Sequence, residues 1–443
     1  MIETGNFIIE PSKQVPVVFK ADVVVCGGGP SGFIAAIAAA RNGAKTLLLE
    51  HYGFLGGMAT AGLVGPISKF NFQNNRIVSG IPEEFIEKMA LRGGAIIDLP
   101  SGNVPYDPEI YKYVAMKMVE EAGVQILFHT RVVDCISDVD RPEALTHVVI
   151  ENKSGRQAIA ANYFIDCTGT GDLVSRSKLP WEMRNDRGGE LQPLSLYFRL
   201  GGVDTKTFNL LMAHDGVKYA SVELKELLTA EVEAGRLSNF GGPWAVHGST
   251  LREGQLSVNA TRFSGNAADG NDVSAAEQVL REDVMRIVEV FKEQIPSMKN
   301  AYLLDTATQV GIRETRGIIG LYTMTLEDIL QPKGFEDTVA YGGHPVDIHR
   351  AIGSKQDVSF LQAPYPIPYR SLVPQQSPNL LVAGGCLSAT REAFASIRVQ
   401  AQCMALGQAA GTAAALCARD SIGVNELEGK LLREELKSQG AIV

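Results

Sequence analysis

Apolar and polar positions follow two different periods along this chain, and each change of period marks an element. Val23 to Val25 is a short β-branched run, Gly32 to Asn42 has helical spacing, and Lys45 to Glu50 (KTLLLE) is a second strand after the turn Asn42-Gly43. Together they make one βαβ unit of about 30 residues, the size of a right-handed crossover in a parallel sheet. Pro108 to Ala122 reads as a helix stopped at Gly123, with a strand at Gln125 to Phe128. Arg131 to Ser137 and His147 to Asn152 read as antiparallel strands joined around Arg141-Pro142. Tyr163 to Cys167 reads as a strand that stops at Thr168-Gly169-Thr170-Gly171-Asp172.

Beyond Leu179 the texture changes. Leu196 to Leu200 and Gln255 to Phe263 look like strands, and Ser274 to Ile295 has helical spacing before Pro296, a pattern of mixed α+β type. The Pro-rich segment Ala363 to Pro374 then precedes NLLVAG (Asn379 to Gly384), another strand-to-glycine junction, and an alanine-rich stretch to Arg419. The predicted organisation is a first domain over residues 1–178, an insertion over 179–337, and a return to the first domain over 338–443. That division suits 443 residues, more than one core usually accommodates.

Composition narrows the class. Apolar residues make up 45% and charged ones 21%, a globular balance, and 50 Asp+Glu against 41 Lys+Arg give a formal charge of -9. That balance argues against nucleic acid or an anionic membrane as partner. Six cysteines lie far apart with no C-x-x-C, and most of them read as buried thiols in a reducing compartment. MIETGNFIIEPSKQ lacks a basic stretch followed by an apolar one, and nowhere do about 18 apolar residues run together. A cytoplasmic protein is the expectation; oligomeric state leaves no mark, so a homo-oligomer stays open.

Gly27, Gly29 and Gly32 fit G-x-G-x-x-G directly after a strand and opening a helix, the context that gives this pattern meaning. The first glycine permits a tight turn, the second lets backbone approach a pyrophosphate, and the third lets helix pack on strand. The helix N-terminus adds N–H groups and a positive dipole end. Glu50 closes the second strand about 20 residues on, where a carboxylate can accept from both ribose hydroxyls. NAD and FAD both satisfy these residues. The following loop, His51 to Gly62, separates them: its doublet Gly56-Gly57 suits a longer cofactor threaded past it, whereas an NAD domain would normally pass straight into another crossover helix.

Five stretches then carry a resemblance. EHYGFLGGMATAGLVG (Glu50 to Gly65), DCTGTGD (Asp166 to Asp172), VGIRETRGIIGLYTMT (Val310 to Thr325), IPYRSLVP (Ile367 to Pro374) and Asn379 to Leu416 together resemble the bacterial FAD-dependent oxidoreductase family, of the glutathione reductase and fumarate reductase flavoprotein superfamily. The resemblance implies an α/β fold: a Rossmann-like FAD-binding domain, its parallel sheet extended by an antiparallel β-meander, with an inserted α+β substrate domain. It implies FAD as cofactor and a small-molecule substrate. Gly27, Gly29, Pro30, Ser31 and Gly32 would cradle the pyrophosphate, with Glu50 and His51 at the adenosine end and Val133 beside adenine. Gly56, Gly57, Met58 and Thr60 would approach the ribityl chain and flavin edge, and Thr168, Gly169 and Gly385 would line the cleft. Ser396, Ile397 and Arg398 sit where relatives start a helix facing the flavin pyrimidine. Many relatives place an acidic residue in the last glycine loop, where this chain has Gly384-Gly385-Cys386.

The expected reaction is hydride transfer between flavin N5 and a carbon of a small organic substrate. Arg391 or Arg313 would orient a carboxylate or hydroxyl, and Glu392 or a histidine would handle the proton. The rival is a flavin-containing electron-transfer or binding subunit acting with a protein partner. Arg313-Glu314-Thr315-Arg316 could equally be a salt-bridge clamp between domains. His344 and His349, in GGHPVDIH, do not make a metal site with Asp347 alone, and no metal is expected. Cys386, with no C-x-x-C partner, reads as an inert thiol.

Overall fold

The computed structural model describes residues 8, 10–97, 99–185, 189–208, 220–246, 250–351, 353 and 355–443. The first unit is β1 (Val17–Cys26), α1 (Pro30–Arg41) and β2 (Thr46–Leu49), with β1 and β2 paired in parallel from Val23↔Thr46 to Cys26↔Leu49. β1 starts six residues before the β-branched run, because its half-exposed beginning pairs with Ala158 to Ala161.

Seven strands form the main sheet, in the order Gln125–Leu127, β2, β1, Gly155–Asp166, Leu145–Asn152, Arg131–Ser137, with Leu380–Val382 added on Gly155–Asp166. The 12-residue Gly155–Asp166 strand serves two parts of this sheet. Its first half pairs antiparallel with Leu145–Asn152 in a meander, and its second half lies parallel between β1 and Leu380–Val382. This is the expected α/β class, and it has one geometric consequence. β1, β2, Gly155–Asp166 and Leu380–Val382 all end at the same edge, so their turns at Gly27, Glu50, Thr168 and Gly384 come together there. That carboxyl edge is where open parallel sheets bind ligands.

Two clusters of buried apolar residues lie in the molecule. One runs from Ala21 to Leu179 and from Ile318 to Leu436; the other holds Leu63 and residues from Leu194 to Val310. The stretch Arg316 to Leu330, which the sequence pattern groups with the insertion, has Ile318, Met324 and Ile329 in the first cluster. The second cluster lies between an antiparallel four-stranded sheet (Phe240–Val246, Leu256–Thr261, Phe198–Gly201, Tyr302–Thr306) and the helix Gly270–Gln294. That helix buries Ala276, Leu280, Val284, Ile287 and Phe291, a stripe at helical period.

The returning helix Gln400–Asp420 lies against α1. A Cβ on Gly407 would sit 2.2 Å from the Ser31 carbonyl oxygen, and one on Gly411 2.1 Å from that of Ala35. The two helix-weakening glycines are therefore the price of backbone-to-backbone contact between these helices.

Candidate active site

The turn after β1 requires glycine at both ends. Gly27 has φ +99 and a Cβ there would meet the Cys167 oxygen at 2.5 Å; a Cβ on Gly32 would meet the Gly27 oxygen at 1.8 Å. Gly29, by contrast, has open space, its nearest neighbour being the Gly57 Cα at 3.9 Å. Pro30 starts α1, where its missing N–H costs nothing. Glu50 is 3% exposed; its Oε2 accepts from the Gly28 N–H at 2.7 Å and its Oε1 from the Tyr52 N–H at 2.7 Å. His51 Nδ1 lies 3.0 Å from the same Oε1. The carboxylate thus fixes both the glycine turn and the start of the next loop.

The other turns meet this one. Gly57, with φ +48, is close enough to Gly29 that a Cβ on it would lie 2.9 Å from the Gly29 Cα. Thr60 Oγ1 closes that loop by donating to the Leu55 oxygen at 2.8 Å, and Met58 Sδ accepts from the Ile312 N–H at 3.4 Å. Ser31 Oγ donates to the Ala383 oxygen at 3.2 Å, and a Cβ on Gly385 would meet the Gly169 oxygen at 2.3 Å. Val133 lies where strand pairing shifts register, with its carbonyl accepting from Arg176 Nε at 2.9 Å.

Asp166, not singled out by the sequence reading, organises the second glycine turn. It is fully buried and accepts from Thr168 N at 3.0 Å, Thr168 Oγ1 at 2.7 Å, and the Leu173 and Val174 N–H groups at 3.0 Å each. Burial raises its pKa, and those hydrogen bonds hold against the rise. Its available signal was an acid ending a strand just before T-G-T-G.

A second missed residue is Arg184, 3% exposed. It donates to the carbonyl oxygens of Gly385 at 2.7 Å, Arg316 at 3.1 Å and Ala389 at 3.4 Å, and also to that of Leu387, with its guanidinium 3.9 Å from the Phe394 ring centroid. One side chain therefore shapes the whole last glycine loop. Cys386 in that loop is fully buried and burial raises its pKa well above the thiol range.

Polar groups gather around Arg313, the residue after the Ile312 whose N–H meets Met58. Arg313 Nη1 donates to the Pro193 oxygen at 2.6 Å and to Ser195 Oγ at 2.8 Å; Arg262 Nη1 donates to the same Ser195 Oγ at 2.7 Å. Arg262 Nη2 reaches His349 Nδ1 at 3.1 Å, and His349 Nε2 reaches Asp347 Oδ2 at 3.1 Å. Arg398 Nη2 donates to the Asp347 backbone oxygen at 3.0 Å, whereas Arg398 Nη1 and Gln400 Oε1 are buried with no hydrogen-bond partner among the described residues. His349 lies 87 residues after Arg262 and two after Asp347, and of the three only the histidine and the aspartate stand out in the sequence.

The remaining candidates divide. Arg391 Nε is ion-paired to Glu314 Oε1 at 2.9 Å, and Glu314 also accepts from Gln192 N at 2.5 Å and Nε2 at 2.7 Å. Arg316 Nη1 lies 3.1 Å from Asp172 Oδ1 and from the Thr170 oxygen. Glu392 is exposed in the first turn of the helix Arg391–Ile397, the end where a carboxylate favours the helix dipole. Ser396 and Ile397 are fully buried; the Ser396 hydroxyl is bonded to Tyr365 Oη at 2.6 Å and to the His344 oxygen. His344 Nδ1 contacts the Pro345 oxygen at 2.8 Å, so Nδ1 carries the proton, and burial lowers the pKa to about 4. Among the described residues no group of three or more His, Cys, Asp or Glu is placed to hold a metal, and no helix is long and apolar enough to cross a membrane.

Converging glycine turns, an acid closing β2 and a helix start on each side define a dinucleotide-binding oxidoreductase architecture. The polar groups present fit such a group: open backbone at Gly29 and, among the described residues, an unpartnered buried donor, Arg398 Nη1, just before the Gln400–Asp420 helix with an unpartnered acceptor, Gln400 Oε1, at its start. The family described as FAD dependent oxidoreductase matches residues 22–436, and the chain belongs to it; its cofactor is FAD. Thiamine thiazole synthase of Methanococcus vannielii is 31% identical over 159 residues, 34% of this chain and 56% of that protein. Dihydrolipoyl dehydrogenase of Trypanosoma brucei brucei is 55% identical over 42 residues, 10% of this chain and 9% of that protein. The chain thus spans a little over half the length of the thiazole synthase it matches. Among solved structures, glycine oxidase from Geobacillus kaustophilus is similar at 12% identity, covering 93% of this chain and 96% of that one with a TM-score of 0.44.

Proposed function

We propose that this protein transfers a hydride between N5 of bound FAD and a carbon of a small organic substrate. The observation that carries the reading is the meeting of the Gly27, Glu50, Thr168 and Gly384 turns at one sheet edge, with the start of the Gln400–Asp420 helix beside them. Bound FAD supplies the two-electron donor or acceptor. The chain's residues bind and orient it: Gly27, Gly29, Pro30, Ser31 and Gly32 at the pyrophosphate, Glu50 and His51 at the ribose, Val133 at adenine. Gly56, Gly57, Met58, Thr60, Thr168, Gly169 and Gly385 line the cleft. Arg398 and the adjoining helix start face the negative charge of the reduced state, and Ser396 and Ile397 seat that segment from the core side.

On the substrate side, Arg313 orients the molecule. Arg391 holds Glu314 in place, and Glu392, being exposed, supports its helix. His344 is better placed for the proton, because its Nδ1–H is bonded to Pro345 and its Nε2 lone pair is left as a base. The proposed division keeps residues 1–178 and 338–443 as the FAD-binding domain and 179–337 as the substrate domain, with Arg316 to Leu330 packed on the former. The test is the visible spectrum of the purified protein and the mass of the flavin it releases. FAD is expected; FMN, or a protein that binds no flavin after reconstitution, sinks the reading.

A further inference from the structure

We infer that the substrate is a carboxylate-bearing anion, held by Arg262 and Arg313 beside Met58. This rests on the reading that FAD occupies the cleft.

Three guanidiniums, those of Arg262, Arg313 and Arg398, lie within electrostatic reach of the Asp347 carboxylate, and the second carboxylate near Arg313 and Arg398, that of Glu314, is ion-paired to Arg391. The hydrogen bonds described for the three go only to neutral atoms. Arg262 is 2% exposed and donates to Ser195 Oγ, to Asn259 Oδ1 at 2.9 Å, to the Thr261 oxygen at 2.8 Å and to His349. Arg313 donates to the Pro193 oxygen and to that same Ser195 Oγ. Two cations therefore converge on one hydroxyl, which passes its own proton to the Thr261 oxygen at 2.8 Å. The Asp347 carboxylate is already engaged by His349 Nε2 and Gln356 Nε2, and Glu314 by Arg391.

Like charges brought together out of water are unfavourable unless an opposite charge joins them. Burial first, and then a neighbouring guanidinium, lowers both pKa values, Arg262 beside Arg313 and Arg313, to about 10, beside Arg398. With Arg398 facing the flavin, Arg262 and Arg313 against Asp347 leave one net positive charge. One carboxylate balances it, whereas a phosphate dianion overshoots. A planar carboxylate also matches a guanidinium fork.

The place is right for a reacting molecule. Met58, in the loop beside Gly29, accepts from the N–H of Ile312, the residue before Arg313. The phenol of Tyr197 adjoins the cluster, accepting from Asn259 Nδ2 at 2.8 Å, and its pKa is raised by burial. Arg262 and Ser195 come from the inserted part, Arg313 from the connection out of it, and His349 and Asp347 from the return segment. A carboxylate here would tie these segments over the flavin.

The experiment is titration calorimetry on the flavin-loaded protein with acetate, glycolate and benzoate, each against its amide, and with inorganic phosphate. At least one acid should bind at least about tenfold more tightly than its amide. Arg313→Gln should weaken that acid about tenfold or more, and Arg313→Lys should recover part of the loss, with flavin content unchanged in both. Acids and amides binding alike, no acid binding, phosphate binding in preference, or Arg313→Gln binding the acid as the wild type does would each overturn the proposal. A failure of the FAD reading shows separately, as missing flavin absorbance, because the heat of acid binding is read without it.

Discussion

Arg262 Nη2 lies 3.1 Å from His349 Nδ1, and this contact fixes the tautomer of the histidine. A guanidinium only donates, so Nδ1 accepts and the ring proton sits on Nε2, toward Asp347. Burial first, and then the Arg313 charge, lowers the His349 pKa from 6.5 to about 3. The folded state thus binds fewer protons than the unfolded one between those two values. This contribution leaves stability whole above pH 6.5 and removes it progressively as pH falls through the window. Urea unfolding at pH 8 and pH 5 should show the wild type losing ~2 kcal/mol more than His349→Gln, whose amide does not titrate. Equal losses in the two proteins would remove His349 from the account.

Glu50 accepts one backbone N–H on each oxygen, from Gly28 and Tyr52. In Glu50→Gln the amide nitrogen must face one of those donors, and the charge that favours the ribose hydroxyls is gone. FAD affinity should fall by about tenfold to a hundredfold, the scale of one charged hydrogen bond. Fluorescence titration of the flavin-stripped protein with FAD measures it; unchanged affinity would place the ribose elsewhere.

Gly407→Ala and Gly411→Ala pit helix propensity against contact. Alanine gains about 1 kcal/mol in an exposed helix. Here its Cβ would press on the backbone oxygens of Ser31 and Ala35 at 2.2 and 2.1 Å, and backbone does not yield cheaply. Overpacking of ~1–3 kcal/mol should win, so each variant is destabilised in urea and holds FAD less tightly as α1 shifts. A variant more stable than wild type would show that the helices can part without cost.

Arg184→Met keeps length and apolar contact with Phe394 but leaves the carbonyls of Arg316, Gly385, Leu387 and Ala389 without their shared donor. Destabilisation on the order of 3 kcal/mol is expected from the buried acceptors. The urea midpoint is the readout, and a shift no larger than that of an exposed arginine would refute the clamp.

What the sequence makes legible and what it hides follow from contact distance. The glycine turn, Glu50 and the T-G-T-G turn are each set within a few residues of a strand end, so short spacings reveal them. Gly407 and Gly411 are readable as close packing because glycine in a helix needs a reason. Arg262, Arg184 and the Arg391–Glu314 pair act on partners 67 to 205 residues away, and no local pattern says which arginine faces a carbonyl and which a substrate. Glu392 looks reactive beside Arg391, yet one helical position separates a bonded side chain from an exposed one.

The central claim is that a small molecule exchanges electrons directly with the flavin. Its most direct test is anaerobic mixing of the FAD-loaded protein with a panel of small carboxylic acids, oxidised protein with reduced acids and reduced protein with oxidised ones, while the flavin spectrum is followed. The account predicts that at least one acid bleaches or restores the flavin band and that Arg313→Gln slows that change. A flavin that no member of the panel alters, but that a protein electron donor reduces, would contradict it.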